Sequence, residues 1–192
     1  MEHPGDDRVL DLLLQANRLK VTPRGGWAIH GLTDVESVAD HSFGIVFVAL
    51  ALAELVQEPV NREKVLTMAL IHDLPESAIT DIPAPAQRYF PAGAKRQAEL
   101  NAMAEMLDGF SCGERLQAWW REFEEGSSVE GRLVRDADRL ELLLQAYVYE
   151  RSRANQYLDE FWTGQDRKPF EFQAAQNLFQ ALKARRDSLH AV

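Results

Sequence analysis

Apolar residues recur three and four positions apart through most of the chain, with little of the one-in-two alternation that marks a half-buried strand. On this period a first helix runs through "DDRVLDLLLQANRLK", and a polar, glycine-bearing loop, "VTPRGGWAIHGLTD", follows it. Ser37 is placed to cap a long helix reaching about Gln57, with Asp40 three residues on completing a capping box. That helix is apolar on nearly every face, which predicts a central position. Asn61 is placed to cap the next helix, which carries "VLTMALIHD", and Pro83, Pro85 and Pro91 then break the chain into an irregular connection. Further helices are expected over about 93–108, 113–125, 128–153 and 170–189, punctuated by Gly113, "EEGSS" and "TGQDRKP". The expectation is an all-α chain of roughly seven or eight helices, without internal repeats or low-complexity segments. In "LQAWWREF", Trp119 and Trp120 point one ring to the core and the other toward a partner subunit. The last helix, amphipathic, is read as packing rather than chemistry.

Length and charge narrow the functional classes. The chain has 192 residues, enough for one compact domain. The start, "MEHPGDDRVL", lacks the basic and apolar regions of a signal peptide. The longest apolar run, "FGIVFVALALA", falls short of the 18–20 or so residues that cross a bilayer. Cys112 is the only cysteine, which leaves no intrachain disulfide and no thiolate zinc site. A cytoplasmic protein that does not bind membranes is therefore expected. The net charge of −9 argues against duplex nucleic acid as a partner. A small phosphorylated substrate stays open, since a bound cation and one arginine meet its need for positive charge.

The chemistry concentrates in "ALIHDLPESAITDIP", where His72, Asp73, Glu76 and Asp81 crowd the end of a segment built for a core. Unpaired buried charge costs several kcal/mol, about as much as much of a domain's stability, so a partner is needed. Neighbouring His72 and Asp73 diverge by about 100° on a helix and hold an ion from one side only. His41, one turn into the long apolar helix, is the first additional candidate. His3 and His190 lie near the termini, and His30 sits in a loop, solvent-exposed or near substrate. "LVRDADRLELLLQ" offers two carboxylates. Asp136 has Arg132 and Arg139 as helical neighbours, the setting of a solvated ion pair, whereas Asp138 has Val134 and Leu142 and faces the packed side. His41, His72, Asp73 and Asp138 are thus the ligand set. Two imidazoles and two carboxylates suit one Mn²⁺, Co²⁺, Fe²⁺, Ni²⁺ or Zn²⁺, with Mg²⁺ less favoured.

The order "H…HD…D", with the blocks "LKVTPRGGW", "ESVADHS", "ALIHDLPESAITDIP" and "LVRDADRLELLLQAYVYE", closely resembles the HD-domain metal-dependent phosphohydrolases, and among them the 5′-deoxynucleotidases. The resemblance covers roughly residues 10–155. It implies a single HD-domain helical bundle over 1–192, a dimer, and hydrolysis of deoxyribonucleoside 5′-monophosphates to deoxynucleosides and phosphate. It assigns the metal ligands to the same four residues, the substrate-phosphate arginine to Arg24, and the catalytic carboxylates to Glu76 and Asp81. Thr80 stands where the family commonly has glycine. Some members place tryptophan directly after the arginine; here Gly25 and Gly26 intervene, leaving Trp27 as the candidate sugar contact. The residues agree with these roles, since a loop arginine presents a fork suited to phosphate and Glu76 lies within a turn of His72 and Asp73. Other readings are an HD phosphohydrolase acting on cyclic nucleotides, alarmones or nucleoside triphosphates, and a non-catalytic helical module with a structural metal.

Overall fold

The structure is a computed structural model, and it describes residues 5–153 and 156–190. His3 and the side chain of His190 lie outside what it describes. The long helices are α1 (Asp6–Asn17), α3 (Val38–Leu55), α4 (Arg62–Ile71), α7 (Ala94–Leu107), α8 (Gly113–Glu125), α9 (Val129–Arg153) and α11 (Gln173–His190). Single turns lie between them: α2 (Gly25–Ala28), α5 (Glu76–Ile79), α6 (Ala84–Gln87) and α10 (Asp159–Trp162). No strand occurs among the described residues, where the one isolated bridge joins Pro23 to Ser37. The expected all-α class holds, and the seven long helices fall at the expected positions.

The caps act as the sequence indicates. Ser37 Oγ accepts from the Asp40 N–H, and Asp40 Oδ2 accepts from the Ser37 N–H at 2.9 Å, which fixes where α3 begins. Asn61 Oδ1 accepts from the Lys64 N–H at 3.1 Å at the start of α4. Helices α3, α4 and α9 pack on one another at the centre, and α11 lies along α9. Ile45, Ala49, Leu52, Met68, Leu133, Ala137 and Leu140 fill that contact. A second cluster around Met103, Leu107 and Trp120 joins α7 and α8 to the end of α4.

Helix α3 is central, as expected, but it is not buried on every side. Its inner face (Val38, His41, Ile45, Ala49, Leu52) is buried, but Phe43 and Phe47, 67% and 59% exposed, form with Leu50 an outward apolar stripe. The period explains it: residues 43, 47 and 50 lie opposite 41, 45, 49 and 52 on a 3.6-residue helix, so α9 and α4 can cover one side only. By length and composition α3 could cross a membrane. Its inner face, however, carries His41 and Ser42 and packs on other helices of this chain.

Two further expectations are corrected. Asp136 is not a solvated ion pair: it is buried, and its carboxylate accepts the N–H groups of Glu171 (3.2 Å) and Phe172 (2.9 Å), just ahead of α11. Its arginine neighbours turn elsewhere, Arg132 to Glu171 and Arg139 to Gln165. Those N–H groups have no acceptor within a helix, and Asp136 supplies one. Trp27, the candidate sugar contact, is a core residue 1% exposed, set between Tyr149 and Phe161. Its indole N–H donates to Glu36 Oε1 at 2.8 Å. The two intervening glycines rotate the position by just over half a helical turn, and the ring lies in the core rather than in the lining of the cavity.

Of the tryptophan pair, Trp120 is buried and donates its indole N–H to the His72 carbonyl at 2.9 Å. Trp119 is partly buried against the main core under the Arg115 guanidinium. His30 is not a free loop residue: its ring packs on Phe161, with Nδ1 2.7 Å from the Gly26 carbonyl and Nε2 3.0 Å from Glu160.

Candidate metal centre and active site

Three helices converge below an open cavity of about 580 Å³. Helix α3 contributes His41, the end of α4 contributes His72 and Asp73, and α9 contributes Asp138. His72 is fixed from behind, since its Nδ1–H donates to the Ala69 carbonyl at 2.9 Å and leaves Nε2 facing inward. Asp73 Oδ2 lies 3.0 Å from His72 Nε2 and 3.8 Å from His41 Nε2, and Asp138 Oδ1 lies 3.2 Å from His41 Nε2. His41, His72 and Asp73 form a cluster whose ligand atoms all lie within 4.8 Å of one another; Asp138 joins through His41. Both imidazole Nε2 atoms are buried without a hydrogen-bond partner. Buried polar nitrogens are normally satisfied, and two unpartnered imidazole nitrogens converging on one carboxylate are what a divalent cation would join. The residues fit a metal ion of the N/O-ligated type.

The charges respond to this crowding. Burial would raise the Asp73 carboxyl, but His72, Arg24 and His41 outweigh it and hold the group well below the usual range. Burial likewise opposes ionised Asp138, and His41 more than compensates. His41 is pulled down by burial and by Arg24, yet the Asp138 and Glu141 carboxylates push it up to about 10 without an ion present.

Arg24 reaches the site from the segment before α2. Its Nη1 donates to Asp73 Oδ2 at 3.2 Å and lies 3.8 Å from Asp81 Oδ2. The loop is held in place twice, by the Arg24 N–H on the Glu36 carbonyl (3.1 Å) and by the Gly25 N–H on Asp81 Oδ2 (2.8 Å). A Cβ at Gly25 would meet the Asp81 carbonyl and Pro83 at 3.1 Å, a tight contact, so the close approach of the two segments favours glycine there. Asp81 therefore both lines the cavity and anchors the arginine loop.

Glu76, on α5, is buried with Oε2 unpartnered. Burial, then the charges of Asp73 and Asp81, push its carboxyl up to about 9. Thr80, between Glu76 and Asp81, has φ 64° and ψ 164°, a backbone region that belongs to glycine. Ile82, Ala84, Phe90 and Pro91 add apolar surface to the lining of the same cavity.

Sequence reasoning missed two residues. Lys95, on α7, lines the cavity with Nζ 3.6 Å from Glu76 and 2.8 Å from Glu99. Its i, i+4 pairing with Glu99 was readable, but the approach of α7 to α5 was not. Glu141, on α9, lies 2.5 Å from His41 Nδ1; its position one turn after Asp138 was the available signal.

Comparison with known proteins gives the family. The HD domain family matches residues 16–185. The 5′-deoxynucleotidase HDDC2 of Danio rerio is 35% identical over 146 residues, covering 75% of this chain and 70% of the relative. The Dictyostelium discoideum protein of the same name is 34% identical, covering 74% and 77%. The 5′-deoxynucleotidase hdd1 of Schizosaccharomyces pombe is 32% identical, covering 77% and 76%. Among solved structures, a conserved hypothetical protein from Pyrococcus furiosus superposes with a TM-score of 0.78 at 36% identity, covering 93% of this chain and 99% of that one. A Pyrococcus horikoshii protein superposes with a TM-score of 0.77 at 38% identity, covering 91% and 96%.

Proposed function

The chain belongs to the HD-domain family, and on that premise we propose that it is a metal-dependent 5′-deoxynucleotidase, a phosphoric monoester hydrolase acting on deoxyribonucleoside 5′-monophosphates. The observation that carries the reading is the pair of buried, unpartnered Nε2 atoms of His41 and His72 facing Asp73 beside Arg24 on the cavity floor. The names of the relatives from Danio, Dictyostelium and Schizosaccharomyces support the substrate class.

His41, His72, Asp73 and Asp138 would hold one divalent ion, Mn²⁺, Co²⁺, Fe²⁺, Ni²⁺ or Zn²⁺ in preference to Mg²⁺. Such an ion supplies Lewis acidity, polarising a phosphate oxygen and lowering the pKa of water. The remaining work belongs to the chain. Arg24 donates to phosphoryl oxygens and offsets charge developing there. Glu76, whose Oε2 has no hydrogen-bond partner, exchanges the proton of the attacking water or gives one to the leaving 5′-oxygen. Asp81 keeps the arginine loop seated through the Gly25 N–H and turns its other oxygen toward the sugar. The apolar surface of Ile82, Phe90 and Pro91 receives the base. A purely structural metal would leave Glu76 without a role, which weighs against the non-catalytic reading.

In this proposal residues 1–192 act as one domain in a cytoplasmic homodimer. The bare stripe of Phe43, Phe47 and Leu50 supports self-association. The net charge of −9 weighs against duplex nucleic acid, and the packing of α3 on α4 and α9, with His41 and Ser42 buried in that contact, weighs against insertion in a membrane.

The test is phosphate release from 5′-deoxynucleotides, 5′-ribonucleotides and 3′-nucleotides by protein stripped with chelator and restored with single metals. Metal-dependent release confined to the 5′-deoxy set is expected, and replacing any of the four ligands abolishes it. Absence of release from every monophosphate, with metal bound, refutes the nucleotidase reading.

A further inference from the structure

His41 is the one ligand candidate whose far nitrogen meets a charged side chain. His72 spends Nδ1 on a backbone carbonyl of its own helix, at Ala69. His41 Nδ1 instead faces Glu141 Oε2 at 2.5 Å, on a different helix, with the histidine wholly buried and the carboxylate nearly so. A second, independent feature accommodates that carboxylate. Gly44 stands one turn after His41 in the middle of α3, in the run "HSFGIVFVALALA". Its φ is not in the left-handed region, so no turn calls for glycine there. A Cβ at position 44 would lie 2.6 Å from Glu141 Oε1, 2.9 Å from its Cγ and 3.0 Å from its Cδ. The side chain of Glu141 occupies the volume that any other residue at position 44 would fill.

We propose that Glu141, seated in the notch left by Gly44, is the positioning residue that fixes His41 as a metal ligand. The inference rests on the metal-centre reading above. A carboxylate on Nδ1 holds the proton at that nitrogen, keeps the Nε2 lone pair aimed at Asp73 and Asp138, and raises the donor strength of the ring. Because Glu141 reaches His41 across the α3–α9 contact, the separation of those two helices sets the ring's position. Glu36 completes the surroundings. It lies in one cluster with His41 and Glu141 and is tied through its Oε1 to the Trp27 indole, which keeps it from competing for His41 Nδ1.

The test measures metal affinity directly, by competition between a chelator of known strength and purified protein for Mn²⁺ or Co²⁺. It is accompanied by the visible spectrum of the Co²⁺ form and by thermal melts of the metal-free protein. Glu141→Gln keeps size and removes charge; its expected effect is a roughly 10- to 100-fold weaker metal affinity with a changed Co²⁺ spectrum. Gly44→Ala is expected to weaken affinity in the same direction without touching any titratable group. Should Glu141→Gln fail to fold, Gly44→Ala carries the test alone, because alanine favours the helix at that position. Glu130→Gln removes a buried carboxylate paired with Lys64 and Asn61; it is expected to change the melt and leave metal affinity and spectrum as in the wild type. Wild-type affinity and spectrum in both Glu141→Gln and Gly44→Ala overturn the inference while leaving the metal centre intact. A wild-type protein that binds no metal overturns both.

Discussion

Replacing Arg24 separates substrate capture from metal binding. The guanidinium is not wholly free for substrate, since Nη1 already donates to Asp73 at 3.2 Å and stands 3.8 Å from Asp81. About one charge-assisted bond to a phosphoryl oxygen is therefore at stake, worth about 1.5–3 kcal/mol. At about 1.4 kcal/mol per tenfold, Arg24→Ala should lower kcat/KM by roughly 10- to 150-fold. Most of the loss falls on KM, because the proton-handling Glu76 is left in place. The upper end is expected, because the cavity's carboxylates, Asp81 above all, lose the positive charge of the guanidinium and repel an anionic substrate more strongly. Arg24→Lys should recover only part of the loss, as a point charge replaces a fork. The assay is initial-rate phosphate release across a range of a 5′-deoxynucleotide at saturating metal, with metal content measured in each variant. A KM within about twofold of wild type in Arg24→Ala, less than 0.5 kcal/mol on that scale, would refute the role.

Asp136→Ala leaves the Glu171 and Phe172 N–H groups unpaired, at about 1–3 kcal/mol each. For the pair, about 2–6 kcal/mol, the melting temperature should drop by roughly 4–24 °C for a chain of this size, with kcat/KM at room temperature unchanged; a loss of activity without a drop in stability contradicts this anchoring role. Glu36 is pushed up to about 7 by burial and then by Glu141. Its folded pKa lies above the unfolded value of about 4.3, so its contribution is fully present below that and lost as pH rises through about 7. Metal-free protein should melt at lower temperature at pH 8 than at pH 5, and Glu36→Gln should flatten that slope; an equal slope in both counts against the assignment. Thr80→Gly relieves strain of about 1–3 kcal/mol against the roughly 0.5–1 kcal/mol cost of glycine in the unfolded chain. A net gain of about 1 kcal/mol is expected in denaturant unfolding, and a less stable variant refutes the strain.

Much of this architecture was legible because local chemistry and tertiary demand agree. Ser37 with Asp40, and Asn61, mark helix starts that need no distant partner, and the seven long helices followed from their period. The candidate ligands could be chosen because an inward-facing carboxylate between Val134 and Leu142 has few alternatives. What stayed hidden depends on how helices approach one another. Asp136 reads as solvent-facing until the segment before α11 is laid over it. Trp27 reads as a loop residue until Tyr149 and Phe161 close around it, and Glu141 reads as one more polar position until Gly44 lets α3 come near. The single turns α2, α5, α6 and α10 are four residues each, too short for a 3.6-residue period to show.

The backbone at Thr80 also bears on how this chain can evolve. A β-branched side chain held at φ 64° keeps a reserve of stability untapped, and it lies between the two carboxylates proposed to handle protons and sugar. Glycine at that one position, the residue that the family commonly has there, would release the reserve. Selection for heat tolerance would thus act on a residue flanked by the two carboxylates of the site. A lineage moving to higher temperature would meet its simplest stabilising change inside its own active site.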